Sequence, residues 1–218
     1  MIKDCTTRQA ILESALGLMT EKGFTNTSMD DIVSASGVKK GSLYHFFSGK
    51  TELGLAVLDL YWERATVWVD QQLANLPGGP LERIQRFFAG EGFPEATGKF
   101  TGCLLGTIVA EMSLIEERLS GRALELLNRF VDRIAEELDK AVQEGELRVG
   151  TDTKSLARQL VTYFEGGLLI AKACQSLQAL RDLAPGISAI LESGRNGRCG
   201  FGWSDGPTTS ASKNARKS

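Results

Sequence analysis

The sequence predicts an all-α protein: an N-terminal three-helix domain with a helix-turn-helix layout, followed by a larger helical domain. Three observations carry this. Apolar residues recur three and four apart along most of the chain, the period of a half-buried helix, and no segment of useful length alternates apolar and polar residues as a strand does. Glycine and proline fall between the periodic stretches, at Gly23, Gly37, Pro77-Gly78-Gly79-Pro80 and Gly145, where they end helices and turn the chain. Hydrophobic residues make up 42% of the 218 and charged residues 24%, enough apolar material for a substantial core.

The first helix is expected to begin at Thr6 or Thr7, either of which can cap it, and to bury Ala10, Ile11, Ala15, Leu18 and Met19. Gly23 stops it, and Phe24 folds back as a lid. Ser28 caps the second helix, with Asp30 and Asp31 in the first turn where the helix dipole favours negative charge. Met29, Ile32, Val33 and Ala35 supply its buried side. Gly37 makes a tight turn and Val38 plugs the angle. A third helix covers residues 39–47, with Leu43 and one of Phe46 or Phe47 inward. The fourth runs over residues 50–76, with Leu53, Val57, Leu60, Tyr61 and Trp68 at helical intervals, up to the proline-glycine breaker.

Beyond the breaker, residues 81–90 read as a helix and 90–99 as a Gly- and Pro-rich loop. Residues 100–114 are apolar with Glu111 the one formal charge, the mark of a buried helix. Residues 120–144 form a long amphipathic helix ended by Gly145. Asp152 or Thr153 starts another that reaches residue 176, and a last helix covers 177–191. From residue 194 onward periodicity is lost and Gly, Ser, Lys and Arg dominate, as in a disordered tail. The chain thus divides into residues 1–50, residues 51–193 with helix 51–76 as connector, and a tail 194–218.

A net charge of −2 excludes a protein that coats nucleic acid through overall basicity. A site-specific binder needs only a local basic patch. No run of about 18 apolar residues exists, so no membrane span is expected. The N-terminus lacks a signal peptide, which predicts a cytoplasmic protein. Cys5, Cys103, Cys174 and Cys199 are widely spaced, which argues against zinc or a disulfide scaffold. The lone histidine, His45, rules out a His-based metal or catalytic set, and no nucleophile-base pair or phosphate loop is visible. Neither an enzyme nor a bound cofactor is expected.

The run SMDDIVSASGVKKGSLYHFFSGK, residues 28–50, holds the densest polar and aromatic face in the chain. On the third helix Lys39, Ser42 and Phe46 share one line, and Lys40, Tyr44 and Phe47 the next. Lys40, Ser42, Tyr44 and His45 therefore project outward while Leu43 anchors the helix. Lysines, hydroxyls and an aromatic with a polar tip suit phosphates and base edges in double-stranded DNA. Gly41 allows close approach, and Lys50 adds a donor at the start of the fourth helix. Periodicity alone leaves a second reading open, in which the aromatics are core and the lysines a solvated face.

The residues Gly23-Phe24, Thr27-Ser28-Met29, Ile32, Gly37-Val38 and then KKGSLYHFFSGKTEL resemble the N-terminal domain of the TetR family of bacterial regulators. The match covers roughly residues 6–60. The resemblance implies a helical homodimer that represses transcription from a palindromic operator and releases it when a small-molecule inducer fills the C-terminal domain. Carried over by position, Thr27, Lys39, Lys40, Ser42, Tyr44, His45 and Lys50 become the DNA-contacting set, with Tyr44 and Lys50 on phosphate.

Beyond residue 60 the resemblance thins. Thr101-Gly102-Cys103-Leu104-Leu105-Gly106 is similar to a Gly-Cys-Leu segment opening the sixth helix in a branch of that family, some of whose members respond to electrophiles or oxidants and some to aromatic or planar compounds. Cys103 at a helix N-terminus, with Lys172 near it, fits a thiol sensor; an isolated Cys in an apolar helix equally fits packing. The expected ligand pocket draws on Trp62, Trp68, Phe87, Phe88, Phe100, Cys103, Ile108, Glu111, Met112, Tyr163, Phe164, Gly167 and Lys172. Glu111 needs a partner, for which Arg122, Lys172 or a cationic ligand are candidates. The last two helices carry apolar stripes suited to dimerisation. Three functions follow in order: inducer-released repressor, Cys103-based redox or electrophile-sensing repressor, and helical protein-interaction adaptor.

Overall fold

The protein, seen in a computed structural model that describes residues 2–93 and 99–196, is all-α among the described residues. The helices are α1 (Ile2–Lys22), α2 (Met29–Ser36), α3 (Lys40–Phe46), α4 (Lys50–Asn75), α5 (Pro80–Phe88), α6 (Leu104–Met112), α7 (Glu117–Gln143), α8 (Thr153–Cys174), α9 (Gln178–Arg181) and α10 (Ala184–Asn196). α1 starts ahead of the threonines expected to cap it. α6 is shorter than expected: Gly102 takes φ 72° and Cys103 sits extended as the N-cap.

The single helix expected over residues 177–191 is two, α9 and α10, with Asp182 and Leu183 between them. Pro185 lies in the first turn of α10, where its missing N–H leaves no bond unmade. α10 continues to Asn196, into the expected tail. Residues 197–218 of that tail, and 94–98 of the loop before α6, lie outside the described residues.

Two apolar cores form. One gathers Ile11, Ala15 and Met19 of α1, Ile32, Leu43, Leu53 and Val57 with Leu104, Ile108 and Met112 of α6 and Leu119, Ala123 and Leu126 of α7. The other gathers Val69, Leu73, Ile84, Phe87 and Phe88 with Val131, Ile134 and Leu138 of α7, Leu160 and Phe164 of α8, and Ile187 and Leu191 of α10. α7, at 27 residues about 40 Å long, serves both cores along one face. Its buried acid is Glu137, whose carboxylate meets Arg83 at 2.9 Å and Lys140 at 2.7 Å. Among the described residues no helix is long and apolar enough to cross a membrane.

Candidate DNA interface and ligand cavity

Local chemistry sets the α2–α3 unit. Ser28 Oγ accepts from the Asp31 amide at 3.0 Å, and the Asp31 carboxylate accepts from the Ser28 amide at 2.8 Å, a closed capping box. The Ser28 amide, then Lys22 at 2.9 Å, hold the Asp31 carboxyl down to about 2. Gly37 ends α2 at φ 67°, a left-handed conformation that favours glycine, and its amide donates to Val33 O. Lys39 then opens α3 in extended conformation.

Leu43 is fully buried beneath α3. Lys39, Lys40, Tyr44 and His45 are exposed and Ser42 half-buried, so five of the seven expected DNA contacts share the outer surface of this helix. Lys40 Nζ bonds Asp30 Oδ1 at 2.7 Å, which raises the lysine pKa. Phe47 is the inward aromatic, with Phe46 half-buried and edge-on to the His45 ring at 5.1 Å.

Thr27 does not join that surface. It is 0% exposed, and its hydroxyl donates to Gly23 O at 2.7 Å. A polar side chain so enclosed must satisfy itself locally, and Thr27 builds the α1–α2 turn instead. Lys50 is half-buried: its ammonium donates to Thr25 O at 3.2 Å and lies 4.3 Å from the Phe24 ring centroid. Burial lowers its pKa, against which the charges of Glu111 and Asp31 act.

Glu111 lies at the far end of α6, against this same turn and away from any cavity. Its Oε2 accepts from the Thr25 amide at 2.9 Å and from the Thr25 hydroxyl at 3.2 Å. Gly23, at φ 86°, leaves the space that the carboxylate occupies, since a Cβ there would collide with Oε1. The expected partners Arg122 and Lys172 are elsewhere: Arg122 pairs with Asp59 and Glu125, and Lys172 packs beside Gly102.

A cavity of about 110 Å³ opens between the middle of α4, the end of α5, the start of α6, and α7 and α8. Trp62, Trp68, Phe87, Cys103 and Phe164 line it, as expected from sequence. The other expected lining residues do not. Phe88 is buried in the neighbouring core, and Ile108 and Met112 lie in the α1–α4 core because α6 turns those faces toward the head. Phe100 packs outside the cavity and is tied to Gln175 by its backbone. Tyr163 is 38% exposed on the outer side of α8, and Gly167 faces Leu183 and Leu180.

The structure adds Tyr61, Phe93, Phe130, Arg133 and Glu165 to the wall. Glu165 was legible: it is the one charge between Arg158 and Lys172, the pattern that drew attention to Glu111. Phe93, Phe130 and Arg133 carry no such signal, because packing across distant segments brings them in.

The polar corner gathers three groups, Tyr61, Cys103 and Glu165. The Tyr61 hydroxyl donates to Cys103 Sγ at 3.8 Å, and the Glu165 carboxyl lines the same corner. Burial, then the charge of Glu165, pushes the Cys103 thiol up to about 12. The helix N-terminus does not overcome this, and Lys172 is absent from the groups acting on it. Burial likewise raises Glu165 and holds Tyr61 well above the ordinary phenol value. Among the described residues no cluster of three or more potential metal ligands occurs.

Comparison with known proteins agrees with this architecture. Residues 11–57 match the model for bacterial regulatory proteins of the tetR family, and residues 80–187 match the tetracyclin repressor-like C-terminal domain. The transcriptional regulator AcuR of Cereibacter sphaeroides is 31% identical over 166 residues, 75% of each chain. The HTH-type transcriptional repressor DhaR of Mycobacterium sp. is 25% identical over 190 residues, 87% of this chain and 94% of its own. A crystal structure of a regulatory protein TetR from Rhodobacter sphaeroides superposes with TM-score 0.76 at 28% identity, covering 84% of this chain and 97% of that one. The reduced form of Escherichia coli NemR shares the fold at TM-score 0.75 and 22% identity, over 84% of this chain and 96% of that one. The chain belongs to the TetR family of bacterial regulatory proteins, and is a DNA-binding regulator of transcription rather than an enzyme.

Proposed function

We propose that this regulator is a repressor that binds a palindromic operator as a homodimer and lets go when a small hydrophobic or aromatic inducer enters the α4–α8 cavity. One observation carries the coupling. α6 is nine residues long, and its two ends do different work: Cys103 and Leu105 border the cavity, while Glu111 holds the Thr25 backbone of the head. α4 makes a second link in the opposite chain direction, with Lys50 under the same turn and Trp62 on the cavity wall. A ligand that displaces either helix moves the head, provided it prefers the displaced state. In this reading residues 1–50 read DNA, with Lys39, Lys40, Ser42, Tyr44 and His45 as the contact face, and residues 51–193 sense and dimerise.

The dimer reading is supported by α8. Tyr163, Leu169 and Ile170 are 38%, 67% and 54% exposed on one flank, with Gly166 among them. Apolar side chains at that spacing around a glycine suit close approach of a twofold-related copy, and two recognition helices then meet half-sites in successive major grooves. The relatives named as repressors, DhaR and NemR, support the sign of regulation. Thiol sensing is not favoured by a Cys103 pushed up to about 12.

The test is selection of the operator from a random DNA pool, followed by binding titrations with wild type, Lys40→Ala and Tyr44→Ala. A palindromic consensus, two chains per site and weakened binding in both variants are expected, with affinity falling steeply as salt rises. An asymmetric consensus bound by a single chain, or variants that bind as wild type does, would overturn the reading.

A further inference from the structure

The cavity contains one feature that an apolar pocket does not need. Glu165, half-buried, enters it from α8, and among the described residues no cation lies within ion-pair distance of its carboxylate. Space for the carboxyl is provided by the facing helix, where a Cβ at Gly106 would lie 2.5 Å from Glu165 Oε2. Aromatic rings form much of the rest of the wall. Trp68 stands edge-on to Phe93 at 4.7 Å and tilted to Phe87 at 5.7 Å, and Phe87 is 5.9 Å from Phe164.

We propose that the cavity recognises a small organic cation, a protonated amine whose ammonium bonds Glu165 while its apolar body lies among Trp62, Trp68, Phe87, Phe93 and Phe164. A buried carboxylate without a partner is costly, and a ligand ammonium is the group that removes the cost. Ring faces attract the same positive charge, most strongly those of tryptophan. The Tyr61 hydroxyl, which donates to Cys103 Sγ, and the Cys103 thiol line the same cavity as the carboxylate and add polar groups beside the charge once the cation arrives.

Arg133 also borders the cavity and has a buried Nη1 without a hydrogen-bond acceptor, which raises the opposite case of an anionic ligand. Its charge is already engaged: Nε bonds Asp70 at 2.7 Å and Nη1 lies 3.6 Å from Glu137. An anion there would face Asp70, Glu137 and Glu165 together. The size of the space sets the size of the ligand. At about 110 Å³ it is somewhat smaller than the engineered cavities of about 150 Å³ that take up benzene, so one ring or its equivalent fills it.

The inference takes from the proposed function that this cavity is the ligand site, and the two are separable because binding is read without DNA. Benzylamine, benzyl alcohol and benzoate differ in charge at nearly constant shape. Calorimetry and quenching of tryptophan fluorescence on the full chain at pH 7.5 compare them. Benzylamine is expected to bind about tenfold to a hundredfold tighter than the alcohol, the range of one charge-assisted hydrogen bond. Glu165→Gln is expected to erase that preference while leaving alcohol binding in place, and Gly106→Ala to weaken it by crowding the carboxyl. Retained alcohol binding and an unchanged circular dichroism melt show that each variant is folded. Equal binding of all three, tightest binding of benzoate, no binding of any, or an amine preference that survives Glu165→Gln would each overturn the proposal. Amine binding that leaves operator affinity unchanged would sustain it and sink the inducer reading instead.

Discussion

The Glu111 carboxylate, at the end of α6, accepts the backbone N–H of Thr25 at 2.9 Å, and that bond joins the sensing half to the DNA-reading head. Lys50 grips the other side of the same peptide segment through the Thr25 carbonyl at 3.2 Å. Glu111→Ala is expected to leave cavity ligands bound as before and to shrink the ligand-dependent change in operator affinity severalfold, on the scale of an ordinary coupling energy. Paired titrations with and without ligand check this. Coupling equal to wild type would mean that α4 alone carries the signal.

If Lys40 contacts DNA as proposed, Asp30 competes with the DNA for it through their 2.7 Å ion pair. Asp30→Asn should therefore raise operator affinity severalfold. Lys40→Ala should lower it and reduce the slope of log affinity against log salt by about 1. Thr27→Val, which removes a buried hydroxyl bonded to Gly23 O, should lower the melting temperature by about 2–4 °C with the salt slope intact.

Glu137 is a stability switch at low pH. Burial pushes its carboxyl up, but Lys140 and Arg83 together hold it below 4.5. A carboxyl with a depressed folded pKa stabilises fully above its unfolded value and loses that contribution as pH falls through the folded one. Glu137→Ala should cost about 2–3 kcal/mol at pH 7, because it strands Arg83 and Arg133 near one another, and the difference from wild type should close below about pH 4. Denaturant titrations at both pH values measure it.

Glu165 has the opposite sign. Its folded pKa lies above 4.5, so the folded state holds the proton more tightly than the unfolded one, and the carboxyl destabilises once pH rises past the raised value. Glu165→Gln should raise the melting temperature by about 2–4 °C at pH 8 and by less at pH 5. A larger gain at pH 5 would contradict the direction of the shift.

Cysteine reactivity should follow exposure and thiolate content. With its thiol pushed up to about 12, Cys103 is about one part in ten thousand thiolate at pH 8. Iodoacetamide should alkylate exposed Cys5 and Cys174 in the native protein well before Cys103, and denaturant should level the rates. Mass spectrometry of timed digests reads the order. Native Cys103 reacting as fast as Cys174 would restore the thiol-sensing reading.

The α2–α3 helix-turn-helix was legible in the sequence because its determinants are local. The Ser28–Asp31 capping box, the left-handed Gly37 and the inward Leu43 lie within one short stretch, and each acts on neighbours three or four residues away. Several helix boundaries followed for the same reason; the exceptions include the early starts of α1 and α7, the delay of α6 by Gly102, and α10, which Pro185 restarts and which runs on to Asn196. The position of Thr27 in a familiar motif suggested contact, but burial is set by what packs over it.

The cavity was decided by tertiary structure. A Phe or Trp at helical spacing looks the same whether it fills a core or lines a space, so Phe88 and Phe164 could not be told apart until α5, α7 and α8 were packed. Glu111 is the lone charge of α6, and Glu165 is the one charge between Arg158 and Lys172 of α8. Only the fold assigns the first to the Thr25 backbone and the second to a cavity with room for a ligand, because a charge finds its partner across space and not along the chain.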